Sequence, residues 1–211
     1  MPQPLSKVAP NASILLNNMS ANPLGKHEHL ARLAMEVIVT WSIVESWMLN
    51  LYLDLAGGSK SLAAEMFLQM ANNSAKTSAL IAVLNQLPER ERDLCNAIIR
   101  LAKIQQKHRD KIAHGVLGFS PNLPDALLFA DARALATMSY DDPTRTDHIF
   151  VYREREFAEI IQGNRQVASF GFDMRSIVNK SPHNRDDRLY RELCAEPAIR
   201  ESLDRQGAKG R

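Results

Sequence analysis

The sequence predicts a mainly α protein: an antiparallel helical bundle with a small inserted antiparallel β element and a C-terminal helical tail. Three observations carry this. From Leu30 to Leu55 apolar residues recur at alternating steps of four and three, the spacing of a heptad seam. Two further stretches, Pro88–Gly115 and Glu154–Val178, hold helical apolar spacing over the length of core helices. Between them lie short apolar runs bounded by Pro, Asn and Asp, the pattern of strands and turns.

Residues 1–25 carry Pro2, Pro4, Pro10 and Pro23 among many Asn and Ser. They read as a flexible N-terminal arm, with a short helical turn at Ser13–Met19. The first long helix follows, from about Lys26 to Leu55. Its seam is Leu30, Ala34, Val37, Trp41, Val44, Met48, Leu51 and Leu55, and Gly57-Gly58 stops it. Ser59 caps a second helix to about Ala71, with Leu62, Met66 and Met70 on one face. Asn72-Asn73-Ser74 breaks the chain before a third helix to about Leu87, with Leu80, Ile81 and Leu84 inward. Pro88, Glu89 and Glu91 suit the start of the fourth helix, which turns Leu94, Ile98, Leu101, Ile104, Gln105, His108 and Ile112 inward.

After Gly115 the texture changes. Val116–Phe119 and Ala126–Ala130 read as two strands of a hairpin with a longer loop, and His148–Arg153 as a third, preceded by a turn at Asp141-Asp142-Pro143. A fifth helix runs from Glu154 to Val178 on Phe157, Ile160, Ile161, Val167, Phe170, Met174 and Ile177. Gly163 and Gly171 make a kink in it possible. The charged tail, 181–211, holds a short helix near Arg188–Ala195 and another after Pro197. The organisation is therefore an arm (1–25), a helical domain (26–180) with its β insertion at about 116–153, and the tail.

With 211 residues, 45% hydrophobic and 24% charged, the chain can bury a core without staples. A net charge of +2 is too mild to mark nucleic-acid binding by itself, so any electrostatic footprint must be local. Cys95 and Cys194 lack metal-site spacing, and Cys95 reads as a buried thiol. No leader and no membrane span is evident, and a cytoplasmic protein is expected. His27, His29 and His183 lack a partner cluster, so no metal is expected. No Gly-rich phosphate loop or nucleophile elbow implies a cofactor.

The chemistry concentrates at the end of the fourth helix, Arg109-Asp110-Lys111-Ile112-Ala113-His114. Cleaving RNA without metal needs a base for the 2′-hydroxyl and a fixed cation for charge developing on phosphorus. Histidine titrates near neutrality and can be base or acid. Arginine stays charged and offers parallel donors to phosphate oxygens. Asp110 lies four residues before His114, so it can share a helix face with it and orient the imidazole. Five residues turn an ideal helix by roughly 500°, so Arg109 and His114 diverge by about 140°. Either the helix loosens at Gly115, or two chains pair so that their motifs line one cleft.

The pattern Arg, polar residue, three residues, His at the end of a long bundle helix resembles the motif of the HEPN superfamily. The resemblance covers about residues 26–115. It implies a metal-independent endoribonuclease that leaves a 2′,3′-cyclic phosphate and a 5′-hydroxyl. It also implies a homodimer with the site between two motifs, and a toxin or defence effector paired with an antitoxin protein. By the same resemblance Arg109, Asp110 and His114 are catalytic, with Glu45 as the acid contributed by another helix. The alternative is a non-catalytic module that binds nucleotide, RNA or protein through the same surface.

Other features carry two meanings. Arg100, Lys103, Lys107 and Lys111 form a basic stripe that could track RNA phosphates or simply face solvent. His108 reads as structural. Arg-Asp ahead of His-Gly is also a well-capped helix end, cations favouring the C-terminus.

Overall fold

A computed structural model describes residues 1–16, 22–139, 142–179 and 187–207. The fold is mainly α with a small antiparallel sheet. Its elements in chain order are β1 (Gln3–Pro4), α1 (Leu5–Val8), β2 (Leu15–Leu16), α2 (Pro23–Lys26), α3 (Glu28–Leu55), α4 (Lys60–Leu68) and α5 (Asn73–Val83). Then follow α6 (Glu89–His114), β3 (Val116–Phe119), β4 (Leu127–Ala130), α7 (Ala132–Thr137), β5 (Ile149–Tyr152), α8 (Glu154–Val178), α9 (Asp187–Ala195) and α10 (Pro197–Gly207). The chain divides into two compact units. One comprises Met1–Trp41 and Gln105–Gly163, the other Ser42–Ile104 and Asn164–Arg211.

The first unit holds the sheet, in the order β1-β5-β4-β3-β2 with every pairing antiparallel. Both of its edges come from the N-terminal arm. The expectation of a loose arm gives way here: β1 pairs Gln3 with Val151, and β2 pairs Leu15 with Phe119. Leu15-Leu16 is strand where a helical turn was expected, and residues 17–19 of that turn lie outside the described residues.

Side chains alternate across a strand, and the two faces of this sheet bury different partners. Leu127 and Phe129 of β4 and Tyr152 of β5 join Leu30, Leu33, Ala34 and Val37 of α3, Ile112 of α6 and Phe157, Ile160 and Ile161 of α8. Leu128, Ala130, Ile149 and Val151 face the other way, onto Leu5 and the arm's Val8, Ala9, Ala12, Ile14 and Leu16. The arm is thus the second layer over the sheet. All of β4 is buried as a consequence, which is why it reads as a continuous apolar run and not as alternation.

In the second unit Trp47, Met48, Leu51, Leu55, Ile98, Val167, Phe170, Met174 and Ile177 are buried. Each of the eight seam positions of α3 is buried. Gly57 and Gly58 end that helix with φ of 70° and 69°, a conformation L side chains rarely adopt. Asp54 is nearly enclosed and accepts from Arg175, Asn179 and Lys60. Burial pushes its carboxyl up, but those three donors outweigh it and bring it to about 2.

Of two short helices, α4 turns otherwise than its spacing suggests, while α5 buries Leu80 as expected, and Leu84 after it, but not Ile81. In α4 the buried pair is Ala63 and Phe67, whereas Leu62 and Met66 are exposed. In α5 Thr77 and Leu80 are buried and Ile81 is exposed. At these lengths several apolar faces compete, and the docking of Phe67 against Tyr52, ring centroids 5.0 Å apart, fixes one. Ile104 of α6 is likewise exposed. The tail's α9 and α10 dock on α6 through Arg90–Asp187 and through Ser202, whose hydroxyl donates to the Ala97 carbonyl at 3.1 Å. Residues 208–211 lie outside the described residues.

α8 runs as one continuous helix through both of its glycines. A methyl on Gly163 would overlap the Gln105 amide, and one on Gly171 would overlap the Trp47 indole. The glycines let those side chains lie on the helix backbone. Gly171→Ala gains about 1 kcal/mol of helix propensity but overpacks Trp47 at a cost of about 1–3 kcal/mol. Denaturant unfolding is expected to show net destabilisation, reversed to a gain in a Trp47→Leu background. Leu5 is completely buried under the sheet. Leu5→Ala is therefore expected to cost about 2–5 kcal/mol, whereas truncation in a loose arm would leave the unfolding midpoint unmoved.

Candidate functional site

The site is built where α6 passes into β3 with one residue between them. Helical geometry continues through His114, so the helix does not loosen to swing that side chain toward Arg109. Gly115 has no left-handed backbone conformation; its requirement is space. A Cβ there would overlap the Lys111 carbonyl and lie 3.3 Å from both the Ala130 carbonyl and the Phe129 Cβ. Glycine lets the helix end press against β4.

Along α6, residues at spacings of three and four share a face. Gln105, His108, Arg109 and Ile112 form one such face, and Ile112 belongs to the core between sheet and helices. His108 is buried with an unpartnered Nδ1, as are Gln105 Oε1 and Arg109 Nε. Burial and the nearby Lys111 ammonium lower the His108 pKa, so the ring sits neutral in the interior. It is a structural histidine, as its spacing predicted.

Asp110, Lys111 and His114 occupy the opposite side. They line an open cleft of about 500 Å³, whose far wall includes Asp131, Arg133 and Phe150. His114 is exposed and makes no hydrogen bond among the described residues. Arg109 does not line this cleft, but its Nη1 donates to Asp110 Oδ1 at 3.0 Å. The guanidinium therefore reaches round the helix to a carboxylate of the cleft wall. Asp110 Oδ2 accepts from Gln106 at 3.3 Å. Asp110 thus holds Arg109 and Gln106 and leaves His114 alone, so the expected orienting bond to the imidazole is not made.

Lys111 lies over the Phe150 ring, Nζ 3.3 Å from its centroid. Burial lowers its pKa, Asp131 opposes the shift and Lys107 adds to it. Asp131 caps α7, its Oδ1 accepting from the backbone amides of Arg133 at 2.9 Å and Ala134 at 3.2 Å.

The basic stripe does not act as one row. Arg100 turns inward and donates to the Ser202 hydroxyl at 3.1 Å and carbonyl at 3.0 Å. Lys103 and Lys107 are exposed and Lys111 is half-buried in the cleft. Glu45 is half-buried on α3 and belongs to the second unit, whereas the motif belongs to the first. Among the described residues no group of three or more His, Cys, Asp or Glu side chains is placed to hold a metal. No helix among them is long and apolar enough to cross a membrane.

Sequence reading missed Asp131, Arg133 and Phe150. A signal for two of them exists: Asp131-Ala132-Arg133 directly follows an apolar strand, where an Asp is a helix cap. The chain matches no family model, no curated protein and no solved structure.

An imidazole held neutral by burial has a pH signature. Unfolded His108 titrates near its ordinary 6.5, while the folded ring titrates lower. Below that ordinary value the unfolded chain binds the proton first, so stability falls as pH falls until the lowered folded value is passed. Urea unfolding between about pH 7.5 and 5.5 is expected to show this acid limb, and His108→Gln to flatten it.

Proposed function

We propose that the protein is a metal-independent endoribonuclease of the HEPN kind. The observation that carries the reading is an exposed, uncommitted His114 in an open cleft with Lys111 and Arg133, with Arg109 tied to that cleft's wall through Asp110. His114 accepts the proton of the 2′-hydroxyl as its oxygen attacks the adjacent phosphorus. The bond to the 5′-oxygen breaks, that oxygen takes up a proton, and the products are a 2′,3′-cyclic phosphate and a 5′-hydroxyl. Arg109 supplies the cation for the scissile phosphate.

One chain aims Arg109 and His114 about 140° apart, so the active form is a homodimer whose two motifs share one cleft. Such an enzyme serves as a toxin or defence effector, held in check by an antitoxin protein. A second reading rests on that same divergence. If the two side chains are never brought together, the cleft binds RNA or nucleotide without altering it.

The test is structured RNA incubated with the protein in EDTA. Cleavage to cyclic-phosphate ends is expected, with a loss on the order of 100-fold or more in Arg109→Ala and in His114→Ala. Cleavage surviving in both variants refutes the assignment, and binding without cleavage by the wild type selects the second reading. Growth arrest on expression, relieved by His114→Ala, is the expected cellular counterpart.

A further inference from the structure

The charges around the cleft are unevenly committed. Of its two carboxylates, Asp110 is taken up by Arg109 and Gln106, and Asp131 by the backbone of α7. Its three basic groups are not taken up in this way. Lys111 forms no ion pair among the described residues and rests on an aromatic face. Arg133 is exposed on α7 with no side-chain partner among the described residues, and His114 is likewise unpartnered. Asp110 is neutralised by the guanidinium it holds, whereas Asp131 keeps its charge, so Lys111 and Arg133 outnumber the one remaining acid of the cleft. The cleft therefore favours an anion although its formal charges nearly balance.

The two cations differ in kind. Lys111 is half-buried and fixed between α6 and Phe150, so holding a ligand costs it little further ordering. Arg133 is a mobile-length side chain on the opposite wall, carried by the segment between β4 and β5. A strand laid along this cleft would meet a lysine on one side, an arginine on the other and the imidazole beside them. A guanidinium grips phosphate oxygens through two parallel donors, and an ammonium holds them as a point charge.

We infer that Lys111 and Arg133 bind the sugar–phosphate backbone of a single RNA strand, and that the start of α7, directly after β4, is the wall that holds the substrate. The inference rests on the ribonuclease reading for the identity of the strand. It separates holding from cutting: Lys111 and Arg133 act on substrate in the ground state, while Arg109 acts at the scissile phosphate.

The probe is a 2′-O-methyl RNA oligonucleotide, which cannot be cleaved by 2′-hydroxyl attack. Its affinity for the full chain is measured by fluorescence anisotropy over a series of salt concentrations. Arg133→Gln, an exposed substitution with no core to disturb, and Lys111→Gln are each expected to weaken binding several-fold. The double variant is expected to weaken it on the order of tenfold or more and to lower the salt slope by about 0.7 per lost phosphate contact. Arg133→Lys should recover part of the loss. Arg109→Ala should abolish cleavage of ordinary RNA. Unchanged affinity and slope in Arg133→Gln and in the double variant overturn the inference, as does a wild type that binds no oligonucleotide. A wild type that binds the probe through these two residues yet cleaves nothing sinks the ribonuclease reading and leaves this inference standing.

Discussion

The rotation per residue of an unbroken α-helix is the constraint on which this site depends. From Gln105 to His114 α6 keeps regular geometry, and its faces are fixed by what they touch. Ile112 and His108 lie in the interior, so the side that carries them cannot turn outward. Arg109 shares that side, and Asp110, Lys111 and His114 are carried to the other. Gly115 supports the arrangement, because its lack of a side chain lets β4 lie close against the helix end. The separation of the two motif residues is thus imposed by the core.

The arginine answers this constraint through its length. Its stem starts on the buried face, with Nε enclosed and unpartnered, and its tip finishes on Asp110. An enclosed N–H without an acceptor is unfavourable by roughly 1–3 kcal/mol, and an isolated surface ion pair returns about 0–1 kcal/mol. Stability alone gives no reason to keep an arginine in this position. The proposed phosphate binding would, because a phosphate oxygen at the cleft edge would meet a guanidinium already bent toward it.

The parts of this fold that were legible in sequence are those where burial is set by a long local period. The eight seam positions of α3 and the seven apolar positions of α8 all lie inside, because over seven turns a competing face has too few apolar residues to win. Over the two or three turns of α4 and α5 the margin is a single side chain: Phe67 displaces Met66 in α4, and Ile81 falls outside the face of Leu80 and Leu84 in α5. The arm was not legible because Leu5, Val8, Ala12 and Leu16 recur at helical steps of three and four, yet only Leu5–Val8 is helix and Leu15–Leu16 is strand. What orders them is the apolar underside of β4 and β5, more than a hundred residues away. The near half of the cleft could be read from the motif, since it lies on one helix. Its far wall could not, since Arg133 and Phe150 reach the motif only through strand pairing of β4 with β5.

That division bears on how a catalytic pair could be assembled at all. Within one chain α6 carries Arg109 and His114 to different sides, and it is the arginine's tip alone that reaches the cleft wall, at Asp110. A two-fold axis removes the difficulty without moving either residue, because a second copy presents its own arginine from a different direction. For the symmetric arrangement to work, the axis must pass close to the cleft and leave His114 uncovered by its own chain. The second condition is met: the imidazole is exposed, with its ring committed to nothing among the described residues. A histidine retained at such a helix end for capping alone would gain only about 0.3–1 kcal/mol from the helix dipole, and only when protonated. An exposed ring beside Lys111 and Arg133 fits the proposed transfer of a proton from a bound strand.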